Sequence, residues 1–197
     1  MAKTVGIAKK AMAGISSRQR GFSLLEVVIS MAVLTVGLVS LLGVFGMAMA
    51  ASQTSQEDMI AKQLANEALE GVVTARNTAQ AQWNSIQNVT DGGIFLNGLQ
   101  LVYMAGGDGI LGTADDITTG QIQALVEPGP DGIYKTADDV TVSLSNYQRQ
   151  IQIQPVVDSN GQIIASLRAI NVTVQYNTPG MRSPKTYTLT SLISQYR

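Results

Sequence analysis

The sequence predicts an α+β domain carried by one long N-terminal helix. Three observations support this. Residues 22–51 form a thirty-residue apolar run with a single charge, Glu26. Residues 52–78 then keep a helical period with one apolar face. From residue 94 onward the pattern shifts to period two, in segments separated by Gly, Pro, Asn and Asp. Helix first and strands afterwards is the order of an α+β fold, not of an alternating α/β chain.

The first twenty-one residues are polar and basic, with Lys3, Lys9, Lys10, Arg18 and Arg20 and no acid. The apolar run behind them would make a helix of about 45 Å. A bilayer core needs about 20 apolar residues, so the segment can span a membrane and project beyond it. Positive charge on the short flank keeps that flank cytoplasmic. Two processing schemes compete. A secretory signal peptide has a shorter apolar stretch and an A-x-A site after it. Ala48-Met49-Ala50 offers that site, and cleavage there would release a soluble domain starting at Ala51. The other cut lies before the run, between Gly21 and Phe22, and leaves the run as the mature N-terminus.

The residues around that second cut carry a family resemblance. Gly21-Phe22-Ser23-Leu24-Leu25-Glu26-Val27 resembles the class III signal of type IV pilins and pseudopilins. The resemblance implies several things. A prepilin peptidase would cut after Gly21 and methylate Phe22. Glu26, fifth in the mature chain, would pair with the Phe22 amine of a neighbour during assembly. The fold would be pilin-like. The expected organisation is a cleaved leader over 1–21, a transmembrane and assembly helix over 22–51, and a periplasmic domain over 52–197. The last would hold an amphipathic helix (52–80) and a β-rich part (94–197). The implied partners are other pilin subunits, the peptidase, an inner-membrane assembly platform and the bilayer itself. The implied location is the bacterial inner membrane, then a pilus or pseudopilus. Major pilins often hold Pro where this chain has Gly43, which points to a minor pilin or pseudopilin.

Composition narrows the alternatives. Taking the five leader bases from thirteen leaves eight against fourteen acids, a balance of −6. An acidic exported part argues against nucleic-acid binding. There is no Cys, so no disulfide can close the loops, and no His for the common triads, shuttles or zinc sites. No constellation of nucleophile and base suggests an enzyme.

The second half of the long helix places Ile60, Leu64, Ala68 and Val72 at every fourth position, with Leu69 and Val73 beside them. Asp58 and Lys62 have the spacing of an i,i+4 pair. Ile94 to Met104, with Asn97-Gly98 between apolar arms, reads as a two-residue hairpin. Later strands are expected at 121–126, 147–157, 163–177 and 185–194. A turn at Asp158–Gly161 and another at Thr178–Gly180 would join the last three as antiparallel neighbours.

An acidic repeat interrupts this part. Residues 107–117 read GDGILGTADDI and residues 130–140 read PDGIYKTADDV, identical at seven of eleven positions. Each copy has one Asp followed by a pair: Asp108 with Asp115 and Asp116, then Asp131 with Asp138 and Asp139. Calcium takes 6–8 oxygen ligands of this kind, and an ion would relieve the crowding of acids around the single base Lys135. The order is not that of an EF-hand. The competing reading is a pair of solvated acidic turns, capped locally by Thr113 and Thr136. A soluble, Sec-secreted, calcium-dependent adhesion or binding module cut at Ala50 is the alternative to a filament subunit.

Overall fold

The computed structural model describes residues 21–178 and 182–196. Helix α1 runs from Leu24 to Asn77. Two single turns of 3₁₀ helix follow, at Trp83–Ser85 and Val89–Asp91, then β1 (Gln100–Leu101) and α2 (Ala114–Thr119). Strands β2 (Ala124–Glu127), β3 (Val140–Ser143), β4 (Tyr147–Val157), β5 (Ile163–Tyr176) and β6 (Lys185–Ser194) complete the chain. The chain divides into two compact units between Ala48 and Met49.

The first unit holds the apolar part of α1. Its large side chains are all exposed, from Phe22 at 81% to Met47 at 73%. The helix is long and apolar enough to cross a membrane. Its hydroxyls are satisfied within the helix: Ser30 donates to the Glu26 carbonyl at 2.7 Å, Thr35 to Met31 at 2.8 Å and Ser40 to Val36 at 2.8 Å. A side chain that bonds its own preceding turn can meet lipid without an unpaired polar group.

In the second unit, α1 packs on an antiparallel sheet of order β1-β4-β5-β6. The inner face alternates as the period-two pattern requires: Ile151 and Ile153, then Ile170, Val172 and Val174, then Ile193. The facing stripe of α1 is Ala61, Leu64, Ala65, Ala68, Val72 and Ala75. Four alanines among six let the helix lie close to the sheet and keep interior packing density. The outer face carries Gln152 opposite Asn171 and Asn171 opposite Thr190. Asn171 bonds across both neighbouring strands, donating to Gln154 at 3.4 Å and accepting from Thr190 at 2.7 Å. Pairing of β4 with β5 shifts between Pro155 and Val156. Pro cannot donate to a ladder, and a bulge is where strands accept it. The guanidinium of Arg168 stacks on the Trp83 ring beside this shift, 4.4 Å from its centroid.

Polar ties hold helix to sheet. Arg149 is buried on β4 and donates to the Leu64 carbonyl and the Glu67 carboxylate, each at 3.2 Å. Arg76 donates to the Ser194 carbonyl at 2.6 Å and the Tyr196 carbonyl at 3.0 Å, fixing the end of β6 to the end of α1. Lys185 pairs with Asp58 at 2.9 Å. The i,i+4 partner expected for Asp58, Lys62, is therefore displaced by a cation from β6. The Tyr176 hydroxyl, donating to Asp58, and Lys185 hold the Asp58 carboxyl below the usual carboxylate range. Glu57, one turn before Ala61 on the sheet-facing stripe, is buried.

Strands β4, β5 and β6 lie where period and turns placed them, within one residue. The turn over 178–180 falls partly outside the described residues. The hairpin at 94–104 does not form. Gly98 makes a turn with φ +80°, but Phe95 bridges Asn88, and Gln100–Leu101 pair with β4 instead. An isolated two-stranded hairpin is marginal in water, whereas Phe95 and Val102 each reach 0% exposure in the core by separating. The amphipathic helix ends at Asn77, short of 80. Strand β3 and helix α2 lie within stretches with no strong period.

Asn88 has no counterpart in the sequence reading. Its side-chain amide donates to the Ile151 carbonyl at 2.8 Å, and its Oδ1 accepts the Ile153 N–H at 2.7 Å. It therefore plugs the edge of β4 beyond the two residues that β1 covers, an edge that would otherwise present unpaired groups. Asn88→Ala would leave both backbone groups buried and unpaired. It should lower stability by about 2–4 kcal/mol in denaturant melts of the detergent-solubilised chain; an unchanged midpoint would count against this role.

Candidate functional site

The N-terminal site is simple in geometry. Gly21, Phe22 and Ser23 precede α1 in extended or irregular backbone. The Ser23 hydroxyl accepts the Glu26 N–H at 3.2 Å and so caps the helix. Ser23 and Glu26 have the S-x-x-E spacing of a capping box, a signal in the sequence that the reading above did not use. Among the described residues the Glu26 carboxylate makes no hydrogen bond or ion pair. It is exposed, as is Phe22. Ala48, Met49 and Ala50, the A-x-A tripeptide, lie inside α1.

The acidic repeat is a duplicated structural module. In the first copy Asp108 accepts the Ile110 N–H at 2.8 Å; in the second Asp131 accepts the Ile133 N–H at 2.9 Å. Thr113 donates to Asp115 at 2.5 Å and Thr136 to Asp138 at 2.7 Å. Asp116 accepts the Gly112 N–H and Asp139 the Lys135 N–H, each at 2.6 Å. Gly112 and Lys135 both have left-handed φ, +86° and +69°, so the second copy tolerates a side chain where the first has none.

The duplication extends upstream by a residue pair missed in the sequence. A Cβ on Gly106 would lie 2.3 Å from Asp115 Oδ2, and one on Gly129 2.1 Å from Asp138 Oδ2. Both glycines exist so that a carboxylate can fold over the backbone. Their signal was readable, since they occupy equivalent positions just ahead of the eleven-residue repeat.

The two copies differ in setting. The first lies between β1 and β2 and contains α2. Thr113 is the N-cap of α2, and Asp116 at the third helical position accepts the Thr113 N–H at 3.3 Å. Asp116 is buried, and burial raises its carboxyl despite three backbone N–H donors. Asp115 is held low by the Thr113 hydroxyl and the Asp108 N–H. Asp108, Asp115 and Asp116 each bring a carboxylate oxygen within 4.8 Å of the others, and could hold a metal ion. Three hard oxygen donors suit calcium or magnesium. Among the described residues, Asp131, Asp138 and Asp139 form no such group. The second copy instead caps the β2–β3 ribbon, exposed at its tip. The expected local capping by Thr113 and Thr136 is present in both.

Residues 16–42 match the family described as the prokaryotic N-terminal methylation motif. That motif is the class III signal typical of type IV pilins and pseudopilins. With a long N-terminal helix packed on an antiparallel sheet, the chain is a pilin-like α+β protein carrying that signal. Comparison with curated proteins and with solved structures found no match.

Gly106→Ala should force Asp115 out of its turn and cost about 1–3 kcal/mol in the unfolding midpoint. Gly129→Ala should instead leave the midpoint nearly unchanged and make the exposed ribbon tip more sensitive to limited proteolysis. Equal, negligible effects at both sites would show that the carboxylates do not hold these turns.

Proposed function

We propose that this chain is a structural subunit, a minor pilin or pseudopilin, of a type IV pilus or a type II secretion pseudopilus. The observation that carries the reading is the apolar half of α1. It overlaps the matched methylation motif, residues 16–42, and its large apolar side chains from Phe22 to Met49 are exposed among the described residues. Such a surface must be buried in lipid or against other helices. Prepilin peptidase cuts between Gly21 and Phe22 and methylates Phe22. The subunit rests in the inner membrane with residues 52–197 in the periplasm, and an assembly platform draws it into a filament of pilin subunits. Proteins with this signal are typically structural rather than enzymatic.

Glu26 then sets the register. An unpaired carboxylate at membrane depth is expensive, and the Phe22 amine of a neighbouring subunit supplies the opposite charge. Two such charges compensate where one alone costs several kcal/mol. Repeated head to tail, the contact builds an open helical assembly. The reading is supported by the absence of a partner for this carboxylate among the described residues.

Mass spectrometry of the mature protein should find N-methylated Phe22. A chain beginning at Ala51 would instead support the soluble, Sec-secreted module. Glu26→Ala should be cleaved and inserted normally yet recovered at least about tenfold less in sheared filaments, equivalent to about 1.4 kcal/mol. Incorporation at the normal level would remove the charge-register role.

We also propose calcium at Asp108, Asp115 and Asp116, bracing a loop that has no disulfide. The three carboxylates would supply the oxygens, and the ion would offset their mutual repulsion. Adding calcium should raise the thermal midpoint of the full chain, a chelator should reverse this, and Asp115→Asn should abolish the difference. Equal midpoints with calcium and with chelator would retire the ion and leave the hydrogen bonds as the whole of the loop's support.

A further inference from the structure

The two copies of the acidic module place equivalent apolar pairs in opposite settings. In the first, Ile110 and Leu111 are 3% and 8% exposed. Leu111 covers Gly71 of α1, its Cδ1 4.0 Å from where a Cβ would stand. In the second, Ile133 and Tyr134 are 60% and 62% exposed. The first copy thus shows Leu111 of this pair packing on the flank of α1 around Gly71, while Ile110 joins the core. The second copy presents the equivalent pair largely exposed among the described residues.

A groove of about 810 Å³ lies on that flank, lined by Ile60, Leu64, Gly71, Met104, Ile122 and Leu125 among others. Met104 is 49% exposed within it. Glu70 stands at the groove, exposed and without an ion pair among the described residues. Beside Tyr134 stands Lys135, the one base between Asp108 and Asp139, likewise exposed and unpaired among the described residues. Apolar pair and cation match apolar groove and anion.

The ribbon fixes where the two surfaces lie. Gln123, just before β2, bonds Glu67 of α1 at 3.1 Å, and Glu127 at its end accepts from Gln56 at 3.2 Å. The ribbon therefore runs along α1 toward the N-terminal end of the unit, over eleven helical residues or about 16 Å. Its tip is carried away from its own groove on the same flank. A copy displaced along that axis brings tip and groove together, in a heterologous contact that repeats without closing.

We propose that the tip of one copy docks into the groove of the next, Ile133 and Tyr134 entering it and Lys135 meeting Glu70. The proposal rests on the subunit reading above and adds the contact between the folded domains. A bilayer surface suits the tip less well, because Glu127, Asp131, Asp138 and Asp139 surround the pair and anionic lipid would repel them.

The chain has no Cys, so the contact can be read by disulfide trapping in intact filaments. Tyr134→Cys and Met104→Cys, co-expressed as single variants of the full chain, should give a mixed cross-linked dimer under mild oxidation. The double variant should give a ladder, and neither single variant alone should give the dimer. Lys135→Glu should lower the yield of the mixed dimer about five-fold, and Glu70→Lys on the partner should restore it. Filaments recovered in normal amount without the mixed dimer overturn this contact while leaving the subunit reading intact. So does labelling of Tyr134→Cys by a lipid-borne probe in place of the dimer. Failure of the unmodified chain to enter filaments overturns both.

Discussion

The constraint on which everything else depends is an apolar surface that this chain cannot bury by itself. From Phe22 to Met49 the large side chains of α1 stay exposed. The segment also hides its own hydroxyls in back-bonds to the preceding turn. A helix that satisfies every polar group internally and no apolar group at all is built for a hydrocarbon environment or for other helices. Glu26 is the exception, since a carboxylate in an apolar helix of this kind is costly to bury unpaired.

The second half of α1 solves the opposite problem. It presents alanines to a four-stranded sheet, so backbone and sheet come close, and few large side chains are needed to fill the gap. Charged ties at three levels then set the position along the axis: Asp58 with Lys185, Glu67 with Arg149, and Arg76 with the carbonyls at the end of β6. Arg149 is the costly one, since burial disfavours its charge and Glu67 with the Leu64 carbonyl must answer it.

Loops without disulfides are held here by carboxylates over backbone N–H groups. The same device occurs twice, and the copies have diverged in what they do with it. The first turns its apolar pair inward and gathers three carboxylates; the second sits at a ribbon tip and turns its pair outward. Duplication followed by a change of setting accounts for both the shared hydrogen bonds and the contrast in burial.

Much of this was legible in the residues themselves. The long helix, the last three strands and their inward faces follow from local periods, because a helix face and a strand face repeat at fixed intervals. The motif at Gly21 to Glu26 is a linear signal, so its form is complete without a fold. The acidic duplication and the capping threonines were visible for the same reason. What needed the tertiary structure was every choice between partners far apart in the chain. Asp58 had a local cation and took a distant one. Asn97-Gly98 had two arms that separated, because Phe95 and Val102 gained more from the core than from each other. Asn88, Arg149 and Arg76 carry no local pattern, since their partners lie more than sixty residues away in the chain. The two acidic copies read alike, and only their surroundings made one a buried loop and the other an exposed tip. Local periodicity is a property of neighbouring residues, whereas burial is decided by which distant surface arrives to cover them.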